Sequence, residues 1–150
     1  MITHDAPFTI RKAAPGDEHQ LGDLNRAFNG TSPPSDHIRR SLESRPEVVF
    51  VAEEENALIG FVALHLMHSF CYDAPWVEIT EAYVAPSSRR NGVGTALLQH
   101  GLRMAKELGA AQVWLRTGQD NHAAQRMYQR AGFEVTSEVV CRHFLSAHIP

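Results

Sequence analysis

The chain has 150 residues, of which 43% are hydrophobic and 21% charged, the balance of an ordinary globular protein. That excludes a disordered tail, a fibrous repeat and a disulfide-stapled miniprotein. Lys and Arg number 14 against 17 Asp and Glu, and the resulting charge of −3 excludes a broad nucleic-acid surface while suiting a cationic substrate.

Phe8 to Lys12 alternates apolar and polar residues and predicts a first strand. Pro15-Gly16-Asp17 stops it, and Asp17 or a neighbour caps a helix carrying Leu21, Leu24 and Phe28. Asn29 to Pro34 is a break, followed by a short helix from Ser35 to Ser44. Val48 to Ala52, a polar turn at Glu55-Asn56 and Leu58 to Met67 read as a hairpin. After an irregular stretch from Ser69 to Pro75, Trp76 to Val84 is a third strand of this kind, halted by Pro86. The loop Ser87 to Gly92 leads into a helix from Val93 to Leu108, with Leu97, Leu98, Gly101, Met104, Ala105 and Leu108 on one face and Gly109 as its stop. Val113 to Leu115 is a strand. Asp120-Asn121 opens a helix with Ala124, Met127, Tyr128 and Ala131 on one side, closed by Gly132. Phe133 to Val135 and Val139 to Phe144 read as two last strands.

The order βααβββαβαββ predicts one α/β domain over residues 1–150. Its mixed sheet would have about six to seven strands, with helices on both faces and antiparallel strands at the N-terminal end. No apolar run approaches the ~20 residues of a membrane span. Met1 to Asp5 lacks the basic-then-apolar pattern of a leader. Cys71 and Cys141 form no CxxC pair and read as reduced thiols, so a cytoplasmic protein is expected.

The segment from Val84 to Leu97 carries the most chemistry. A strand ends, the chain turns, and a helix begins behind Arg89, Arg90, Asn91 and Gly92, with Val93, Gly94 and Thr95 in its first turn. Glycine lets backbone N–H groups approach an anion, and the helix N-terminus adds about half a positive charge. The reading is a phosphate or pyrophosphate cradle. A Walker A loop is excluded because no lysine follows Gly92 or Gly94. A Rossmann fingerprint is excluded because Leu97 stands where a third glycine or alanine is required.

Val84-x-Pro86-x-x-Arg89-x-x-Gly92-x-Gly94-x-x-Leu97 resembles the acetyl-CoA-binding signature of the GNAT acetyltransferase superfamily. Asn121-x-x-Ala124-x-x-x-Tyr128-x-x-x-Gly132-Phe133 resembles that superfamily's second motif. The resemblance implies that backbone N–H groups from Arg90 to Thr95 hold the pyrophosphate of acetyl-CoA. It implies that the backbone of Tyr83 and Val84 pairs with the pantetheine arm where strands splay apart. Asn121 would bond that arm, and Tyr128 would lie near the thioester sulfur. The superfamily often has leucine where this chain has Ala82, a change that would widen the acceptor side of the cleft.

A lysine-like amine has a pKa near 10.4 and must lose a proton before attacking a thioester, so a carboxylate base is expected. Glu78 and Glu81 lie on the strand entering the loop. With period-two alternation they project from opposite faces, and at most one lines the cleft. Glu78 is preferred, since it shares a face with Thr80, Ala82 and Val84, whereas Glu81 shares the more apolar face of Val77, Ile79 and Tyr83. Glu78 also aligns with the base of the histone-acetylating branch, although other branches resemble this chain more at Glu81. Phe70, Tyr72 and Trp76 would shape an acceptor pocket. His68 with Cys71, and Cys141 with His143, lack the spacing of zinc ligands, so no metal is expected.

The implied activity is acetyl-CoA-dependent N-acetylation of a small-molecule or protein amine by direct attack. A strand N–H near Val84 would hold the oxyanion, and Tyr128 would protonate the thiolate. The expected partners are acetyl-CoA and an amine, with no nucleic acid or membrane; a homodimer is left open. The alternatives are a different acyl-CoA and a catalytically silent acyl-CoA sensor.

Overall fold

Alternation in the first half of the chain builds an antiparallel sheet. In the computed structural model, which describes residues 7–44 and 46–146, β1 (Thr9–Lys12), β2 (Glu47–Glu54), β3 (Ala57–Met67) and β4 (Trp76–Val84) pair in that order, all antiparallel. β5 (Val113–Leu115) adds in parallel to β4, as a strand returning through a helix must. Glu55 and Asn56 both take positive φ, 49° and 67°, the left-handed pair that a two-residue hairpin turn requires. The stretch Met1 to Asp5, read above for a leader, lies outside the described residues.

Contacts divide the chain after Arg116 into two compact units. In the first, α1 (Glu18–Asn29) and α2 (Ser35–Glu43) cover one sheet face. Leu21 and Leu24 of α1 are buried with Val49, Val51, Phe61, Ala63 and Tyr83, and Ile38 and Leu42 of α2 pack against them. Each Leu, Ile, Val or Phe fully buried here contributes ~1.5–3 kcal/mol by leaving water. On the other face α3 (Val93–Glu107) buries Val93, Leu97 and Leu98 near Val62 and Leu64. Gly101 lets α3 come close, since a Cβ there would lie 2.8 Å from Leu64 Cδ2. The second unit contains α4 (His122–Arg130), capped by Asn121, whose Oδ1 accepts from Ala124 N at 3.2 Å. Among the described residues no helix is long and apolar enough to cross a membrane.

Two expectations need correction. Among the described residues the sheet has five strands, because Phe133–Val135 and Val139–Phe144 carry no ladder. Val135, Val139, Val140 and Phe144 are exposed there. Strand propensity reports how a side chain fits a half-buried pleated surface, and these residues have none beneath them. Asp17 sits at the N-cap position of α1 but makes no side-chain cap bond. Its carboxylate instead accepts both Arg11 nitrogens, at 2.8 and 2.9 Å, and Ala14 N at 2.9 Å, tying β1 to the turn before α1.

The next residue links the two covering helices. Glu18 is buried, accepts from Gly16 N, and pairs with Arg39 of α2. The guanidinium holds the Glu18 carboxyl down at about 2 from its ordinary 4.5. A carboxyl depressed on folding stabilises the fold above its unfolded pKa and stops doing so as pH falls through the folded one. Acid melts between pH 4.5 and 2 are therefore expected to show a steeper loss of Tm in the parent than in Glu18→Gln. Parallel slopes would remove the pair from the stability of this helix layer.

Candidate functional site

One irregularity in β4 decides which side chains meet. Opposite β3, Glu81 pairs with Ala63 but Ile79 pairs with Leu64, so Thr80 is an extra residue, a β-bulge. Glu78 then pairs with His65. Ala63 and His65 share a face of β3, the face under α1 and α2, and residues directly opposite in a ladder share a face too. Glu78 and Glu81 consequently lie on the same side of the sheet. The expectation of opposite faces is corrected, because strict alternation does not survive an inserted residue.

The two glutamates have different surroundings. Glu78 is 8% exposed and accepts from Arg116 Nη2 at 2.8 Å; the guanidinium also lies over the Trp114 ring, 5.7 Å from its centroid. Glu81 is exposed and lines a cavity of about 300 Å³ between α1, α2 and the sheet, whose walls mix Leu21, Ile38, Val49 and Phe61 with Asn25, Asn29 and His37. Its carboxyl is pushed above 4.5, first by burial and then by the negative charge of Glu47, which lines the same cavity. A carboxylate so raised lies closer to the operating pH of a general base.

The aromatic loop takes no part in the cavity. Phe70 and Tyr72 stand in solvent, and the walls come from α1 and α2 instead. Ala82 opposes Val62 on the α3 face, so its small side chain does not widen the cavity.

β4 continues into the anion loop. Ala85 N donates to Ile59 O at 2.8 Å, and a single 3-10 turn (Pro86–Ser88) follows. Arg90 and Gly92 take left-handed φ, 66° and 80°, turning the backbone into α3. The first helical bond runs from Ala96 N to Gly92 O, and no side chain caps Gly92. The N–H groups of Val93, Gly94 and Thr95 thus have no partner within the helix and are available to an anion. Val93 is buried and anchors the turn, while Asn91 and Thr95 are exposed. These residues fit a pyrophosphate. Arg89 Nε donates to Val84 O at 2.9 Å and its guanidinium lies over the Tyr83 ring. Tyr83 is itself buried and stacked on Phe28 of α1, with ring centroids 5.0 Å apart. β5 pairs only with Val77, Glu78 and Ile79, which among the described residues leaves Thr80–Val84 without a ladder partner on that edge. Free backbone groups at such an edge suit an extended amide-bearing ligand.

In the second unit Tyr128 is half-buried, edge-on to Phe133 with centroids 5.9 Å apart. Burial raises its hydroxyl pKa above 10, so it stays protonated at neutral pH. Among the described residues no three His, Cys, Asp or Glu gather as a metal site.

Sequence reasoning missed Glu47 and Arg116. Glu47 precedes the strand as read, yet it shares a face with Val49 and Val51, and a carboxylate in line with two core valines was a usable signal. Nothing in the sequence pointed Arg116 at Glu78, because the parallel register of β5 sets that contact.

A sequence profile described as the acetyltransferase (GNAT) family matches residues 18–133. An uncharacterized N-acetyltransferase of Mycobacterium bovis is 30% identical over 100 residues, 67% of this chain and 60% of that protein, so the match spans less than two thirds of the relative. The aminoglycoside N(6')-acetyltransferase type 1 of Salmonella typhimurium is 29% identical over 94 residues, 61% of this chain and 65% of its own length. By fold, an aminoglycoside acetyltransferase from an uncultured soil metagenomic sample superposes with a TM-score of 0.84 at 23% identity, covering 95% of this chain and 98% of the other. An aminoglycoside N-acetyltransferase in complex with CoA superposes at 0.81 with 22% identity, covering 97% and 100%. The anion loop and the profile spanning it lead to one conclusion: the chain belongs to the GNAT acetyltransferase family.

Proposed function

We propose that the protein transfers the acetyl group of acetyl-CoA to a primary amine, with Glu81 as the general base. The observation that carries the reading is the course of β4: one strand brings Glu81 to the wall of a cavity and then delivers the chain to an uncapped, anion-ready helix N-terminus. Acetyl-CoA, when bound, supplies an activated acyl carbon. The N–H groups of Val93, Gly94 and Thr95 hold its pyrophosphate, and the open edge of β4 beside Tyr83 and Val84 takes its amide-bearing arm. The family and the CoA complex of a protein of like fold support this donor. The ammonium gives a proton to Glu81, the neutral nitrogen bonds the carbonyl carbon, the carbon–sulfur bond breaks as the nitrogen releases its second surplus proton to water, and the thiolate takes a proton. A backbone N–H near Val84 is assigned to the oxyanion. Tyr128, protonated at neutral pH, is assigned the final proton. Glu78 moves to a positioning role, since Arg116 already neutralises it.

Acetyl-CoA at a hundred times its Kd is expected to stabilise the fold by about 2.7 kcal/mol, a rise of several degrees in Tm. Gly94→Val should abolish that rise. Gly94 lies in the first turn of α3 without positive φ, so valine is accommodated by the backbone and the apo melt changes little. Thiol release against a panel of amines then reads transfer. Wild-type acetyl-CoA affinity in Gly94→Val would overturn the cradle. Binding without thiol release from any amine would leave an acyl-CoA sensor.

A further inference from the structure

The outward groups of β4 follow from its pairing. Ala85 N donates to Ile59 O, and the next rung sets Val84 opposite Gly60. Bonded and non-bonded rungs alternate in an antiparallel ladder, so the N–H and C=O of Val84 turn away from β3. They face the edge that β5, ending at Leu115, no longer covers. Ala82, opposite Val62, has the same parity and faces the same way. An amide-bearing arm laid along this edge meets those outward groups. One of them is already occupied: Arg89 Nε donates to Val84 O at 2.9 Å.

The same side chain reaches round the strand. Tyr83 pairs with Phe61, which lines the cavity under α1 and α2, so its ring lies on that face. The Arg89 guanidinium carbon stands 5.6 Å from the centre of that ring. Tyr83 is buried and stacked on Phe28, which makes the ring a fixed seat, whereas Arg89 is exposed and free to leave. A bond to a neutral carbonyl and a cation over a ring are both modest when one partner is in water. A phosphate offers the guanidinium more, a full opposite charge and two N–H bonds of its fork at once. Arg89 enters the loop that ends at the N–H groups of Val93, Gly94 and Thr95, so a pyrophosphate held there arrives on its own segment of chain.

We propose that Arg89 selects the acyl donor. With no phosphate in the loop it stays across the β4 edge and denies Val84 O to the arm. A pyrophosphate draws the guanidinium off, and the edge opens. A thioester of the same arm without phosphates therefore meets a closed edge. The inference rests on the reading of loop and edge as the acetyl-CoA site. It makes Arg89 a specificity-determining residue for the carrier of the acetyl group, independent of the acceptor.

Titrations followed on the backbone amides of isotope-labelled protein test this without turnover. The probes are CoA, pantetheine, which keeps the arm and lacks the phosphates, and ADP, which keeps the pyrophosphate and lacks the arm. Arg89→Ala should bind pantetheine about tenfold more tightly than the parent, with the shifts centred on Tyr83 and Val84, since both contacts of the closed edge are gone. It should bind ADP more weakly by about two- to tenfold. Arg89→Lys keeps the charge but not the planar fork, which donates through Nε while lying over a ring. It should tighten pantetheine and hold ADP near parental affinity, a separation that misfolding does not produce. Arg90→Ala removes the same charge one residue away and should leave pantetheine binding as it is. Pantetheine bound no more tightly by Arg89→Ala overturns the gate, and a loss of ADP alone then makes Arg89 a plain phosphate ligand. Equal tightening in Arg90→Ala overturns it too, as a general effect of charge. A parent protein that binds none of the probes overturns the acetyl-CoA reading instead.

Discussion

Replacing Glu81 with glutamine is expected to lower kcat at pH 7 by about 10²-fold or more, since a general base contributes ~10²–10⁴-fold. Acetyl-CoA affinity should not change, because the substitution leaves the backbone of β4 and the N–H groups of Val93, Gly94 and Thr95 as they are. The loss should shrink as pH approaches the amine's own pKa near 10.4, where the nucleophile deprotonates unaided. In the parent the acid limb of the rate profile should lie above the ordinary 4.5, since burial and the charge of Glu47 both make protonation of Glu81 easier. Glu78→Gln should do something else. It removes a partner of the half-exposed Arg116, for a cost of about 1 kcal/mol in stability, with kcat little altered. Steady-state kinetics from pH 5 to 10 on the two variants decide the matter. A collapse in Glu78→Gln that recovers at high pH, beside an active Glu81→Gln, reverses the assignment.

Gly60→Ala should be the most damaging small substitution in the sheet. A Cβ there would lie 2.8 Å from Tyr83 O and 3.3 Å from Val84 Cα, which are backbone atoms held by the β3–β4 ladder. They cannot rotate away as a side-chain tip can, so the strands must separate where β4 meets the anion loop. Overpacking of this kind costs ~1–3 kcal/mol, a Tm lowered by several degrees. Acetyl-CoA affinity should fall with it. Gly22→Ala is the matched control. Its Cβ meets only side-chain atoms, Ile38 Cδ1 and Ser32 Oγ, at 3.4 Å, and alanine is the better helix former by ~1 kcal/mol. A neutral or stabilised Gly22→Ala beside a weakened Gly60→Ala is the expected pattern. Equal melts and equal acetyl-CoA binding in both would show that the strand junction yields freely.

What was legible in the sequence depended on how local its cause was. Trp76–Val84 and Val113–Leu115 agree with their predicted bounds because strand residues and breakers such as Pro75 and Pro86 are adjacent in sequence. The anion loop was legible for the same reason: glycine at a positive-φ position before a helix is a local demand. The bulge at Thr80 was not. Threonine is an ordinary strand residue, and only the register with β3 shows that one residue is extra. That unread feature, beside the alignment with the histone-acetylating branch, is why the sequence favours Glu78 over Glu81. The last two strands failed for a related reason: Val139, Val140 and Phe144 have the right preferences, but a strand exists only where a neighbour accepts its hydrogen bonds.

The inserted residue in β4 also bears on how such a site changes over generations. Side-chain direction along a strand is a matter of parity, odd or even, and Thr80 shifts that parity for everything after it. Drawing Thr80 into regular alternation would turn Glu81 toward α3 and leave Glu78, with its arginine, as the carboxylate still facing the acceptor layer, whereas deleting Thr80 would keep both glutamates where they are. That exchange is one of register, which belongs to the ladder and not to what any one position carries. In a lineage built on this strand, the identity of the base is therefore inherited through the keeping of the bulge as much as through the residue at position 81.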